Sequence, residues 1–397
     1  MGSTVLSRKA LRESLTALKA CLPAKPLTEL DGAILVTVTT NLVSVSATDM
    51  VQEAVYEIPV IDIGVDSFEV VPDLKKLEKA LTKAEADDVV LSYDQGSGTL
   101  RVSCRGLSGF VDVPTLPASK KARYDMPSAP VEATGVLEAR VLAESMKFIE
   151  DYLPETVTGQ MKFEAAILRD GILSAANGWN RRGYFVSRGL SLKEEVKFLQ
   201  RFVSTIPKVL SRVIDRKLSV FLHDRTIVLS CDGFRYSCVR AKHEMPEPVL
   251  SYLKSSDPYV SLDTVKLTKL LDRVTIPDYN AAGSPVGVRL QLPEHMDGGP
   301  VEDKLKVSLV AYSQLKAEGE VACTRDSDKA CAPLDKVVDY RMFKAMASAL
   351  PSSAEVRCYI SKQDSRFFKF QGKYIVGEYP CVTVSVGSYS KVIGPNA

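Results

Sequence analysis

Few residues in this chain are suited to moving a proton, holding a metal or attacking a carbon. The 397 residues contain 3 histidines, His223, His243 and His295, and none lies near another in sequence. Cys231 and Cys238 bracket a hairpin and are the one conceivable metal set with His223, but their spacing matches no zinc pattern. The acidic pairs Asp87-Asp88 and Glu194-Glu195 are adjacent, so their carboxylates point apart on a helix or strand and cannot share a proton. Asp49 and Asn177 sit in turns, where side-chain capping of the backbone explains them. No Gly-x-x-x-x-Gly-Lys-Ser/Thr loop and no nucleophile elbow is present, and Gly283, Gly287 and Gly298-Gly299 read as loop glycines. The expectation is no catalytic residue, no metal and no cofactor.

What recurs instead is positive charge at helical spacing. Arg8, Arg12 and Lys19 fall at i, i+4, i+11, and Lys76, Lys79 and Lys83 at i, i+3, i+7. Lys197, Arg201, Lys208 and Arg212 fall on one stripe if the segment is helical. Lys266, Lys269 and Arg273 repeat the i, i+3, i+7 pattern, with thinner versions at Arg140/Lys147 and Arg341/Lys344. A stripe of this kind suits a phosphate backbone and carries no base-reading code. Any soluble helix also keeps a solvated charged face, so both readings stand at this point. The whole chain holds 51 Lys+Arg against 49 Asp+Glu, so a cationic surface has to be local. Without the aromatic interleaving of single-strand platforms, duplex is the better fit.

The elements carrying these stripes repeat. An amphipathic helix followed by alternating strands recurs about six times, at a spacing of roughly 65 residues. The helices are expected at Arg8–Ala20, after Pro72 with Leu74, Leu77 and Leu81 aligned, at Ala139–Leu153, Lys193–Val213, Asp263–Val274 and Tyr340–Leu350. Pro207 kinks or ends the fourth. Period-two strands are expected at 34–38, 42–47, 89–93, 100–104, 218–222, 227–231, 286–292, 305–310 and 356–360. Thr99–Cys104 before Gly106 resembles Thr226–Cys231 before Gly233, and Ser365–Gly372 stands at the matching place in the last unit. Two units per domain give three similar domains, 1–128, 129–248 and 249–397, with linkers at Pro114–Pro130 and Met245–Pro248. The class is α+β, with each helix packing one face on sheets and leaving the other free.

Composition agrees with a soluble globular chain: 45% of residues are hydrophobic and 25% charged. No apolar run approaches the ~18 residues of a membrane helix, and Met1–Arg12 lacks a signal-peptide core. The 8 scattered cysteines read as reduced thiols of an intracellular, cytoplasmic protein.

Several short segments, in order, resemble the bacterial-type sliding clamp, the processivity factor of replicative DNA polymerases. They are Leu22-Pro23-Ala24-Lys25-Pro26 before Asp31–Leu35, Ser46-Ala47-Thr48-Asp49-Met50, Thr115-Leu116-Pro117 with Tyr124-Asp125-Met126-Pro127, Ala175–Arg181, Glu244-Met245-Pro246, Gly287–Leu290 and Leu305–Val307. The resemblance implies a DNA clamp fold: three similar domains of two half-repeats, helices lining a ring and antiparallel sheets outside. It implies a head-to-tail homodimer that encircles duplex DNA and performs no catalysis. Lys25 matches the family's basic residue in the loop after the first helix. Lys75/Lys76 and Lys193 match those beginning the second and fourth helices.

The family also docks short linear peptides of the polymerase and the clamp-loader ATPase in an apolar pocket. The matching positions are Ala176, Gly178, Trp179, Asn180 and Arg181, then Pro246, Val249 and Leu250, then Val382 and Val384, with Ala165 as a further member. Trp179 and Asn177 replace the family's histidine and aspartate. The family's usual ending gives way to Val382–Val386 and a tail, Gly387–Ala397. The near-balanced charge, where family members are mostly acidic, points to a divergent or phage-encoded member acting at the bacterial nucleoid or in an infected cell. The rival reading is a virion or scaffold protein that uses the same fold without tethering to DNA.

Overall fold

Ser7 closes strand β1 (Ser3–Ser7) and caps helix α1 (Arg8–Leu18), its hydroxyl accepting the Ala10 N–H at 3.3 Å. Leu11, Leu15 and Leu18 are fully buried at the expected spacing, and a 3-10 turn over Lys19–Cys21 ends the segment. A computed structural model of the chain describes residues 3–63, 67–121, 132–154, 165–177, 181–241, 259–275, 287–293, 301–310, 316–325, 333–351, 355–360 and 367–388. Strands β2 (Leu35–Val38), β3 (Leu42–Thr48), β4 (Gln52–Pro59), β5 (Asp62–Ile63) and β6 (Phe68–Pro72) follow. Pro72 ends β6, and Asp73 caps helix α2 (Leu74–Lys83) by accepting the Lys76 N–H at 3.1 Å. Strands β7 (Asp88–Asp94), β8 (Thr99–Cys104) and β9 (Phe110–Leu116) complete this part.

The next segment repeats the plan. Strand β10 (Gly135–Glu138) leads into helix α3 (Ala139–Glu150), then strands β11 (Ala165–Arg169), β12 (Ile172–Asn177) and β13 (Arg181–Val186). The helix expected over Lys193–Val213 does not form as one piece. Val196–Leu199 is strand β14, followed by short helices α4 (Gln200–Val203) and α5 (Ile206–Val209) and a 3-10 turn at Ser211–Val213. Val196 and Phe198 are fully buried on either side of half-buried Lys197, which is a period of two. Pro207, without an N–H to donate, sits in the first turn of α5, where it belongs only if a new helix starts there. Strands β15 (Lys217–Leu222), β16 (Thr226–Cys231) and β17 (Phe234–Val239) follow.

The last segment runs β18 (Tyr259–Leu262), α6 (Thr264–Thr275), β19 (Gly287–Leu292), β20 (Val301–Val310), β21 (Glu318–Arg325), β22 (Leu334–Asp339), α7 (Tyr340–Ala349), β23 (Glu355–Ile360), β24 (Phe367–Val376) and β25 (Tyr379–Ser388). Asp263 and Asp339 cap α6 and α7, each accepting a first-turn N–H at 2.9 Å. The expected likeness among middle strands holds for β8, β16 and β24. The turn glycine of the last is Gly377 (φ 61°), as Gly233 (φ 69°) is for β16, while Gly372 lies inside β24.

Contacts divide the chain into two compact units, Met1–Ala143 with Leu192–Lys242 and Glu144–Ser191 with His243–Ala397. In the first unit a 13-stranded antiparallel sheet runs β10-β15-β16-β17-β4-β3-β2-β6-β9-β8-β7-β1-β5. In the second the order is β11-β12-β13-β25-β24-β23-β18-β21-β20-β19-β22. Each unit joins two of the repeated segments by one antiparallel pairing. Phe234–Cys238 of β17 pairs with Gln52–Tyr56 of β4, and Arg181–Val186 of β13 pairs with Val382–Gly387 of β25. Both join the third strand of a first half-repeat to the third strand of a later second half-repeat.

Candidate functional site

Helix α1 presents Arg12 outward, exposed, while Arg8 is half-buried. The Arg8 guanidinium donates to the Ala84 carbonyl and lies 3.8 Å from Asp87. Lys19 turns to α2, its ammonium 2.5 Å from Glu78 Oε1. On α2, Lys75, Lys79 and Lys83 are exposed and carry no ion pair among the described residues, whereas Lys76 lies 3.6 Å from its own cap, Asp73. Lys83 occupies the last turn, where the helix dipole favours a cation. Lys25 is exposed on the loop that follows α1. On α6, Lys269 and Arg273 are exposed and Lys266 lies 3.8 Å from Asp263.

The stripe expected from Lys197, Arg201, Lys208 and Arg212 is broken with its helix. Lys193 precedes β14, and Lys197 lies on that strand, its ammonium 3.0 Å from Glu195. Arg201 pairs with Asp49, whose side chain is 4% exposed. Arg212 donates to Ser14 Oγ at 2.6 Å and stands 5.6 Å above the ring of buried Tyr56. Burial pulls the Arg212 guanidinium below its ordinary value, although the Tyr56 and Glu13 charges oppose the shift. Only Lys208 of the four is exposed without an ion pair among the described residues. A cleft of about 700 Å³ opens where Arg8, Lys9 and Arg12 of α1 approach Arg212, and Glu13, Asp87 and Asp215 offset part of its charge.

Asp49 is a structural hub. Its Oδ1 accepts the Val51 and Gln52 N–H groups at 3.2 and 3.1 Å, and Oδ2 accepts Gln52 Nε2 at 3.1 Å. Met50 is held at φ 71° in the same turn, and Tyr236 donates to Gln52 Oε1 at 2.8 Å. The periodic signal in the sequence missed this hub, because a capping carboxylate is recognisable locally but its distant arginine is not.

The residues matched to the peptide pocket fall partly on one ladder. Ser174 opposes Tyr184, which opposes Val384, and Ala176 opposes Arg182. Val186 opposes Val382 in the same register. Directly paired residues share a sheet face, so Ala176, Val382 and Val384 lie on one face, with Ala165 of β11 in line. Arg181 pairs with Asn177 and Gly387 and belongs to the opposite face. Gly178, Trp179, Asn180, Pro246, Val249 and Leu250 lie outside the described residues.

Among the described residues no group of three or more His, Cys, Asp or Glu is placed to hold a metal ion. Burial pushes the Cys231 and Cys238 thiols up from their ordinary value, which disfavours thiolate. Among the described residues no helix is long and apolar enough to cross a membrane.

Comparison with solved structures places this architecture. The chain superposes on a DNA polymerase III beta-subunit sliding clamp from Pseudomonas aeruginosa bound to griselimycin, with TM-score 0.76, 16% identity, and 98% and 100% of the two chains covered. The beta subunit of Thermotoga maritima gives 0.73 at 14% identity, and that of Borrelia burgdorferi 0.74 at 11%, each over 98% of this chain and 100% of the other. No protein-family model matches the sequence, and no curated protein matches it. The chain has the sliding-clamp fold, an α+β architecture of large antiparallel sheets with few helices.

Proposed function

We propose that this chain is a non-enzymatic DNA sliding clamp: a ring that encircles duplex DNA and tethers a polymerase through a peptide pocket. The observation that carries the reading is a shared fold over 98% of this chain and 100% of the other. Within it, residues 1–128, 129–248 and 249–397 are the three domains.

The strand pairing supports a ring of two copies. Inside the chain, a third strand of one first half-repeat pairs with a third strand of a following second half-repeat, as β4 with β17 and β13 with β25. The same rule leaves two strands over. Among the described residues, β9 keeps an open side along Phe110–Val113, since Thr115 and Leu116 pair with β6 and the Pro114 carbonyl accepts the Asp73 N–H at 2.9 Å. On β21, Glu318–Ala322 is open, since only Cys323–Arg325 pair with β18. Phe110 and Val111 are 58% and 45% exposed on the first of these edges. Pairing β9 of one copy with β21 of a second closes a head-to-tail homodimer and removes both edges.

Among the described residues, exposed Arg12, Lys25, Lys75, Lys79, Lys83, Lys193, Lys208, Lys269 and Arg273 are cations that a duplex could use. A topological tether needs only weak phosphate attraction, and a locally cationic surface on a nearly neutral chain supplies it. The pocket on the β12-β13-β25 ladder would take short linear peptides of the polymerase and the clamp-loader ATPase, in the cytoplasm of a bacterium or an infected bacterial cell.

The test is to load the protein on nicked circular DNA and then linearise the circle. Release on linearisation is expected. Retention on linear DNA with free ends rules out topological tethering. Sedimentation at micromolar concentration should show a dimer.

A further inference from the structure

We propose that Leu27 makes a non-ionic contact to duplex DNA, packing on the deoxyribose surface beside a phosphate held by Lys25, and that Lys121 is the residue that positions it. The inference rests on the clamp reading and adds to it an apolar contact with its own support. Leu27 is 96% exposed, more than any other large apolar residue among those described. A lone exposed leucine on a loose loop would mean little. This loop is closed.

The Thr28 N–H donates to Asp31 Oδ2 at 2.9 Å, and the Asp31 N–H returns to Thr28 Oγ1 at 3.3 Å. Gly32 packs so closely on Pro26 that an added Cβ would sit 3.2 Å from the proline ring. Two apolar side chains of the loop turn inward, Ala33 and Leu30 joining a cluster with Leu35, Val71, Leu116 and Ala118. Leu27, at the tip, is held away from that cluster.

Lys121 fixes the arrangement from the other side. It is 7% exposed, and its ammonium donates to the Leu30 carbonyl at 2.8 Å across 91 residues of chain. The same residue follows the short turn Ala118–Lys120, so the start of the linker after β9 is pinned to the loop. The loop follows α1, which carries Arg12, and the 3-10 turn that begins at Lys19, and exposed Lys25 stands two residues before Leu27. A cation that meets a phosphate places a neighbouring apolar side chain against the sugar, the apolar surface nearest that phosphate.

The experiment is fluorescence anisotropy of the full-length protein with a fluorescein-labelled 30-base-pair duplex across a salt series. Leu27→Ala should weaken binding about threefold or more, from lost apolar contact, with the slope of log affinity against log salt unchanged. Lys25→Ala should shallow that slope by about 0.9. Lys121→Met should reproduce the Leu27→Ala loss, and Lys121→Arg, which keeps a donor, should restore binding. Because Leu27 is solvent-exposed, the thermal midpoint of Leu27→Ala should match the parent, which separates binding from folding. Parent-like affinity of Leu27→Ala, or a changed salt slope, overturns this proposal alone. A parent protein with no salt-dependent affinity for the duplex overturns this proposal, while retention on linearised DNA overturns the clamp reading and this proposal with it.

Discussion

Asp49 and Arg201, 152 residues apart in sequence, form an ion pair in which the carboxylate is buried and the guanidinium half-exposed. The carboxylate also ties down the turn before β4, and β4 is the strand that pairs with β17. Asp49→Ala removes both roles and should destabilise the fold by about 2–4 kcal/mol. Arg201→Ala should cost less, about 1 kcal/mol, because solvent screens the arginine side of the pair. Urea unfolding of the two variants checks the order, and equal losses would sink the hub interpretation.

The same pair bears on DNA. Arg201 has its charge balanced, while Lys79 and Lys83 on α2 have no ion pair among the described residues. Lys79→Ala with Lys83→Ala should reduce the salt slope of duplex affinity by about 0.9 for each phosphate contact removed. Arg201→Ala should leave that slope unchanged. A slope that ignores the α2 lysines would contradict the electrostatic account.

Gly183 lies under the ring of buried Tyr152. A Cβ at this position would stand 2.4 Å from Tyr152 Cδ2 and 2.6 Å from Cγ, so Gly183→Ala should cost about 1–3 kcal/mol by overpacking. In a Tyr152→Ala background the same change should cost almost nothing, since the ring it meets is gone. A double-mutant cycle read by thermal melting tests the contact, and additive losses would refute it.

Asp272 joins α6 to α7, accepting from Tyr340 at 2.8 Å and pairing with Lys344. Burial pushes its carboxyl up, but the hydrogen bonds from Lys344 and Tyr340 outweigh it and leave the group below its ordinary value. The hydrogen bond to Asp272 holds the Lys344 ammonium above its ordinary value. A depressed carboxyl stabilises above its unfolded-state pKa and loses that contribution as pH falls through the folded one. The raised lysine contributes below its unfolded-state pKa and loses its share as pH rises through the folded one. The contact is therefore complete at neutral pH and weakens toward both extremes. Tyr340→Phe should move the Asp272 titration midpoint upward in carboxyl NMR. An unmoved midpoint would show that the hydroxyl contributes nothing.

Trp179→Ala should weaken a polymerase-derived peptide by about 1–3 kcal/mol, the scale of an aromatic hot spot, when measured by calorimetry. Unchanged affinity removes Trp179 from the pocket.

The sequence alone determined the parts of this protein that depend on near neighbours. Leu11, Leu15 and Leu18 wrote α1, and Leu267, Leu271 and Val274 wrote α6, because a helix face is set by residues three and four apart. The repeat of helix and strands was legible for the same reason. Between Lys193 and Val213 that reasoning overreached. Tertiary pairing claimed Val196–Leu199 as a strand, with Phe198 bridged to Arg240, and the periodic spacing carried no trace of the partner. Charge shows the same division. The sequence placed cations on helices, yet only the folded chain brought Asp49 to Arg201, Glu78 to Lys19 and Ser14 to Arg212. Whether a lysine or arginine remains available to a phosphate depends on which carboxylates folding brings within a few ångströms, and those come from distant strands and helices.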